Sequence, residues 1–310
     1  MSSKILVLGY GAVGQATAEH LLRKGFSVTV GQRRRPANLS TGMNFISCDV
    51  MNAQLLQKAF EGFDQLVLAI GFEYTTKIWQ EQWPQAMRNI VQASAVNNLR
   101  VVFVDNLYMY GPQDVPLSED MPLSDRPGKT QVRAEVSRIW QEAVHDKGLK
   151  FTALRAADFF GPGVVLSQLG EIVFGSLAKK GAAKFLVPID HPHDFAYVPD
   201  IARAVGLLLE APDDVYGQIW HMPCDNTRTL RELVTIGAKA LGVQPKFFNT
   251  PLWSLGILGM VFPLAKELWD MRFQWNRPYI VHADKFTKRF SFAPTPFNES
   301  IVATAKSFVD

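Results

Sequence analysis

Cysteine is scarce: Cys48 and Cys224 are the only two, far apart and outside any paired motif. That excludes a disulfide scaffold and a cysteine-based zinc site, and it fits a reducing compartment. Charge of one sign is lacking too, with 32 basic against 29 acidic residues in 310. Only Arg33-Arg34-Arg35 forms a basic run, so no extended face for nucleic acid is expected. No hydrophobic run is long enough to cross a bilayer. The most lipid-like stretch, Pro251 to Ala265, is short and interrupted by proline and glycine; it reads as a buried or lid helix, with membrane-surface or partner contact as the alternative, and stable membrane insertion is not expected. The chain enters an apolar run directly after Met1-Ser2-Ser3-Lys4, without a secretory signal, so a cytoplasmic location is expected.

What is present is a rhythm. Short β-rich runs (4–9, 27–31, 44–49, 64–71, 100–105, 150–156) alternate with helical segments (12–25, 53–62, 78–98, 129–148). Apolar strands spaced by crossover helices predict a parallel sheet covered on both faces. After about residue 157 the rhythm gives way to Gly-Pro loops and aromatics, with one more helix–strand pair at 199–222. The fold expected is α/β: a doubly wound parallel-sheet domain over 1–157, rejoined by a returning segment near 195–222, and a smaller domain over 158–310. No repeat or low-complexity tract interrupts it.

Gly9-Tyr10-Gly11-Ala12-Val13-Gly14 follows the first strand and opens the first helix. In that position Gly9 allows a tight turn, Gly11 lets backbone approach a pyrophosphate, and Gly14 lets helix and strand pack closely. The second strand ends Gly31-Gln32-Arg33-Arg34-Arg35, where an NAD site normally places Asp or Glu for the ribose 2′-hydroxyl. Without that acid, Gln32, Arg33 and Arg34 suit a 2′-phosphate, so NADP(H) is expected over NAD(H). Asp49 and Val50 are placed for the adenine, and Ala69, Ile70 and Gly71 for the diphosphate and ribose.

These features, with "VVFVDNLYMYGPQ" (101–113), "LRAADFFGPG" (154–163) and "HDFAYVPDIARA" (193–204), resemble the extended short-chain dehydrogenases/reductases, the epimerase and dehydratase group. The closest likeness is to an atypical branch with an eroded active site. The resemblance implies a Rossmann fold and a site with a serine or threonine, a tyrosine acting as general acid or base, and a lysine four residues after it. No Tyr-x-x-x-Lys occurs in this chain. Asn106 stands at the serine position, Lys129 at the tyrosine position and Arg133 at the lysine position.

Two readings follow. In one, Asn106 donates its amide N–H to a substrate oxygen, Lys129 supplies the proton, and Arg133 holds the ribose or a phosphate. Tyr108 and Tyr110 are alternative acids. The chain is then an NADP(H)-dependent oxidoreductase for a small, fairly apolar carbonyl-type substrate. In the other, it binds NADP(H) without turnover, as a regulatory or redox-sensing protein. On the substrate side, His193 stands where the resemblance implies an arginine that grips a nucleotide-sugar diphosphate, and Asp158 where it implies an asparagine. Phe159 adds an apolar surface. His191, His193 and Asp194 are not read as a metal site, and a homodimer is left open.

Overall fold

The computed structural model describes residues 3–309. Two compact units are formed by interleaved stretches of chain. The first takes the residues up to Met109, Pro122–Arg155 and Ile201–Trp220; the second takes Tyr110–Met121, Ala156–Asp200 and the residues from His221 on.

In the first unit the apolar runs become β1 (Lys4–Leu8), β2 (Ser27–Gln32), β3 (Asn44–Ser47), β4 (Gln65–Leu68), β5 (Arg100–Asp105) and β6 (Phe151–Arg155). They belong to a seven-stranded sheet in the order β11-β6-β5-β4-β1-β2-β3, with β11 at Ile219–His221. Pairing from β3 across to β6 is parallel throughout. Every residue of β4 and β6 is buried, as expected of strands covered on both faces. The crossovers are α1 (Ala12–Arg23), α2 (Ala53–Ala59), α3 (Thr76–Val96) and α4 (Lys129–Lys147). Side chains capping the N–H groups of the first turn fix where two of them begin: Asn52 for α2 and Thr75 for α3. Along α3, Trp79, Trp83, Met87 and Ile90 recur at helical spacing and pack on β4 and β5 residues in one core. The strand order reverses direction between β1 and β4, the place where ligands bind in open α/β sheets.

The second unit is built from short pieces: β7 (Asp158–Phe160), a π-turn at Glu171–Gly175 running into α5 (Ser176–Ala178), β8 (Ala183–Phe185), β9 (Pro192–His193) and β10 (Phe195–Tyr197). Helix α6 (Val198–Glu210) carries the chain back to the sheet. Then follow β12 (Arg228–Thr229), α7 (Leu230–Ala240), β13 (Phe247–Asn249), α8 (Leu252–Leu258), α9 (Pro263–Asp270), α10 (Asp284–Phe290) and α11 (Phe297–Lys306). Its two-stranded sheets are β10–β7, β12–β9 and β13–β8. Phe160, Phe174, Phe185, Leu233 and Ile301 lie in its core.

The stretch from Pro251 to Ala265 departs from expectation. It forms two short helices rather than one, and Trp253, Met260 and Val261 are exposed rather than buried. Only Leu255 and Ala265 are buried within those two helices. Among the described residues no helix is long and apolar enough to cross a membrane.

Candidate functional site

The glycine turn sits at the carboxyl end of β1. Gly9 has φ +97°, and a Cβ there would meet the Ala69 carbonyl oxygen at 2.5 Å. A Cβ on Gly14 would lie 2.1 Å from the Gly9 carbonyl oxygen. Both glycines are therefore required by backbone packing, which holds the start of α1 against β1 and β4. Gly11 differs, since a Cβ there would meet nothing within 4 Å. It is the N-cap of α1 and offers no side-chain cap, so the first-turn N–H groups beyond it, from Ala12 and Val13 onward, receive no side-chain acceptor from it and suit a diphosphate. The residues present thus fit a dinucleotide.

The end of β2 is tied to this turn. Gln32 Oε1 accepts the Tyr10 N–H at 3.2 Å, and Gln32 Nε2 donates to the Arg34 carbonyl at 2.8 Å. One side chain thereby fixes both the glycine turn and the arginine run. Arg33 and Arg34 are exposed. Asp49 and Val50 follow β3, where Asp49 Oδ1 accepts the Met51 N–H and the Val50 carbonyl accepts Asn89 Nδ2. Ala69 and Ile70 are half-buried after β4, with the Ala69 N–H donating to the Leu8 carbonyl. Gly71 is exposed, and a Cβ on it would also meet open space.

Asn106, Tyr108, Lys129 and Arg133 come together around one aromatic cluster. Asn106 Oδ1 accepts the Tyr108 N–H at 3.0 Å, which leaves its Nδ2 group as the donor. The Tyr108 ring stacks on Trp79, with centroids 6.1 Å apart. Lys129 opens α4 and is only 2% exposed. Its ammonium lies 4.2 Å from the Tyr74 ring centroid and donates to Thr76 Oγ1 at 3.3 Å. A cation in the first turn faces the positive end of the helix as well as a dry setting, and the Tyr74 face and Thr76 offset both.

Arg133, one turn further on, is where the structure departs most from expectation. The guanidinium expected at a ribose or phosphate is 1% exposed and ion-paired with Asp105. It lies 4.2 Å from the Trp83 ring centroid. Burial pushes its pKa down, and Asp105 opposes that. Asp105 also accepts the Asn106 N–H at 2.7 Å and has the Arg155 guanidinium 4.0 Å from its other oxygen. Ser137 Oγ links the two arginines, donating to the Arg133 carbonyl and accepting from Arg155. Sequence reasoning missed Asp105, Trp83 and Tyr74. The available signal was an acid ending an otherwise apolar strand, Val101 to Asp105.

In the second unit, Tyr110 is fully buried, its hydroxyl 2.8 Å from His221 Nε2. His221 Nδ1 donates to the His282 carbonyl at 3.0 Å, so Nε2 accepts and the tyrosine donates. Asp158 and His193 are brought together, with Nε2 to Oδ2 at 2.9 Å. The His193 ring stacks on Trp275 with centroids 4.2 Å apart and on Tyr279 at 4.9 Å. Phe159, half-buried in β7, pairs in register with Ala196. Asp194 accepts the Val281 N–H, and burial pushes its carboxyl above the usual range.

The same fold is found in several enzymes solved with NAD. WbmH of Bordetella bronchiseptica, solved with NAD+, aligns with TM-score 0.77 and 18% identity over 99% of this chain and 98% of its own. The dTDP-glucose 4,6-dehydratase of Bacillus anthracis, solved with NAD, gives 0.79 and 14% over 99% and 96%. The UDP-glucose 4-epimerase of Thermus thermophilus, solved with NAD, gives 0.77 and 20% over 98% of each chain. No curated protein sequence matches significantly. Residues 5–222 match the profile of the NAD dependent epimerase/dehydratase family, with the glycine turn, the end of β2 and Asn106, Lys129 and Arg133 all inside the match. The chain belongs to the NAD dependent epimerase/dehydratase family.

Proposed function

We propose that the protein binds NADP(H) and acts as an oxidoreductase on a small, fairly apolar carbonyl-type substrate. The observation that carries the dinucleotide is the glycine turn: two glycines locked by backbone contact and a third open at the start of α1. The 2′-phosphate preference rests on β2, whose end carries Gln32 and exposed Arg33 and Arg34 where an NAD site has an acid. The similar structures above were solved with NAD, so this preference would be a departure within the family.

When bound, the nicotinamide supplies the hydride chemistry. The chain would contribute a donor at Asn106 Nδ2 for the reacting oxygen and a proton at Lys129 Nζ. Arg133 serves as a positioning residue: through Asp105 it holds the Asn106 backbone and the start of α4. His193 Nε2 is engaged by Asp158, a carboxylate that would repel a diphosphate. That supports a substrate other than a nucleotide sugar. Burial of Lys129 also favours a second reading, in which the dinucleotide is bound without turnover.

Calorimetry tests the cofactor. NADPH is expected to bind about tenfold or more tightly than NADH, as one charge-assisted bond to phosphate contributes about 1.5–3 kcal/mol. Arg33→Ala with Arg34→Ala should narrow the gap. Equal affinities, or tighter NADH, would overturn the preference.

A further inference from the structure

The second unit carries an apolar surface that its own core does not use. Helices α8 and α9 form a tight hairpin: a Cβ on Gly259 would come within 3.0 Å of Lys266 Cα, and one on Gly256 within 3.5 Å of the Trp269 ring. Leu255 and Ala265 are buried. Trp253, Ile257, Met260, Val261, Phe262 and Leu264 point the other way and are 55–78% exposed. Exposed apolar side chains scattered singly need no explanation, but six within twelve residues form a patch of the kind that marks an interaction site.

The charge around this patch is predominantly basic, although α9 also carries Glu267 and Asp270 and Lys179 is paired with Glu171. From Leu233 to Lys266 the chain has no Asp or Glu, and none occurs from Ile172 to Ile189. The same two stretches hold six lysines: Lys179, Lys180, Lys184, Lys239, Lys246 and Lys266. Strand pairing joins them. Lys184 of β8 is in register with Phe248 of β13, both exposed, and the Ala183 N–H donates to the Lys246 carbonyl. Lys266 leaves the hairpin at the start of α9 and is exposed as well. The whole chain is nearly balanced, at +3, so this local absence of acid is not a matter of overall composition.

From the apolar hairpin tip and its lysine-rich surroundings we infer that this face docks on an anionic lipid surface, with α8–α9 lying in the headgroup region and lysines contacting lipid phosphates. Exposed Trp253 and Phe262 are the residue types that settle at that boundary, and basic side chains beside them add attraction to anionic lipid. Docking at the surface needs no spanning segment, and no described helix could supply one. A second copy of the chain would also cover the apolar side chains, but two faces with an excess of lysine would repel across a two-fold contact. The inference does not depend on the catalytic reading.

Vesicle flotation of the full chain tests it, using phosphatidylcholine alone and phosphatidylcholine with phosphatidylglycerol, at low and high salt. Binding is expected to the anionic vesicles, weakened by salt. Met260→Ser with Val261→Ser and Phe262→Ser should abolish it without loss of folding, because all three side chains are exposed. Lys184→Glu with Lys246→Glu should weaken it by about tenfold or more. Light scattering after gel filtration runs alongside. The inference fails if neither vesicle floats the protein, or if the serine variant floats as well as the parent. It fails equally if the parent is a dimer that the serine variant dissolves while vesicles remain unbound.

Discussion

Gly14 and Lys129 show how differently single residues in this chain are constrained. At Gly14 the constraint is steric and absolute, because both atoms that would collide belong to backbone or to Cβ. Gly14→Ala places Cβ 2.1 Å from the Gly9 carbonyl oxygen, which no side-chain rotation relieves. The start of α1 must then move off the strand, and NADPH binding should fall below detection by calorimetry while far-UV circular dichroism stays near the parent. Gly11→Ala meets nothing in the ligand-free protein and should fold normally, yet weaken NADPH by occupying the space the diphosphate needs. Retained tight binding in both variants would refute the assignment of the turn. Lys129 is constrained by chemistry instead. If it is the proton donor and Asn106 the oxygen-orienting donor, Lys129→Met should lower turnover about 10²–10⁴-fold and Asn106→Leu about 10²–10³-fold. NADPH affinity should hardly change in either. Turnover that survives both changes would move the chemistry to Tyr108; absence of NADPH oxidation across a broad carbonyl and enone screen would favour the regulatory reading.

At the level of elements, the carboxyl end of β5 and the first two turns of α4 are joined by Asp105 and Arg133, both about 1% exposed. Replacing a buried ion pair by apolar groups is often tolerated, whereas removing one partner leaves a charge stranded. Arg133→Met should therefore cost about 3–5 kcal/mol in urea unfolding. Arg155 stays near Asp105 and would soften that loss. Adding Asp105→Asn should recover part of it. If Arg133→Met alone is neutral, Arg133 does not position α4 through Asp105. This pairing shows what the sequence did and did not make legible. Strands β1 to β6 could be read directly because each is a short apolar run bounded by turn residues, and the glycine turn because its spacing is set by local backbone geometry. Asp105 and Arg133 are 28 residues apart on different elements, so their contact exists only after β5 and α4 are packed. The family's spacing marked Arg133 as a site position; only packing shows it turned inward toward Trp83. At the Pro251 to Ala265 stretch it is the expectation of burial that fails. Its hydrophobicity suggests burial, but its short helices fully bury only Leu255 and Ala265 and leave Trp253, Met260, Val261 and Phe262 exposed.

For the whole molecule, stability at high pH depends on a group that belongs to neither catalysis nor binding. Cys48, buried just beyond β3, lies where a Cβ on Gly31 would come within 3.1 Å of its Sγ, beside Leu6 and Leu8. Burial, with a smaller contribution from Asp49, pushes its thiol from 9.0 to about 11. The sign follows from which state holds the proton. Between about pH 9 and pH 11 the unfolded chain has released it and the folded protein has not, so rising pH favours unfolding. The stability tied to this thiol is complete below pH 9 and is lost as pH rises through 11, amounting to about 2–3 kcal/mol across that window. Lysines and tyrosines titrate in the same range, so the informative quantity is the difference between the parent and Cys48→Ala. At pH 7.5 the variant should be less stable, having lost a buried side chain. As pH climbs from 9 to 11 the gap should shrink by roughly the linkage amount, and the variant is expected to match or pass the parent at the top of the range. Iodoacetamide gives an independent check, because a thiol kept neutral at pH 7.5 alkylates slowly until the protein unfolds. A gap that stays constant with pH, together with rapid alkylation of Cys48 in the folded protein, would show that the thiol is neither buried nor shifted as the structure requires.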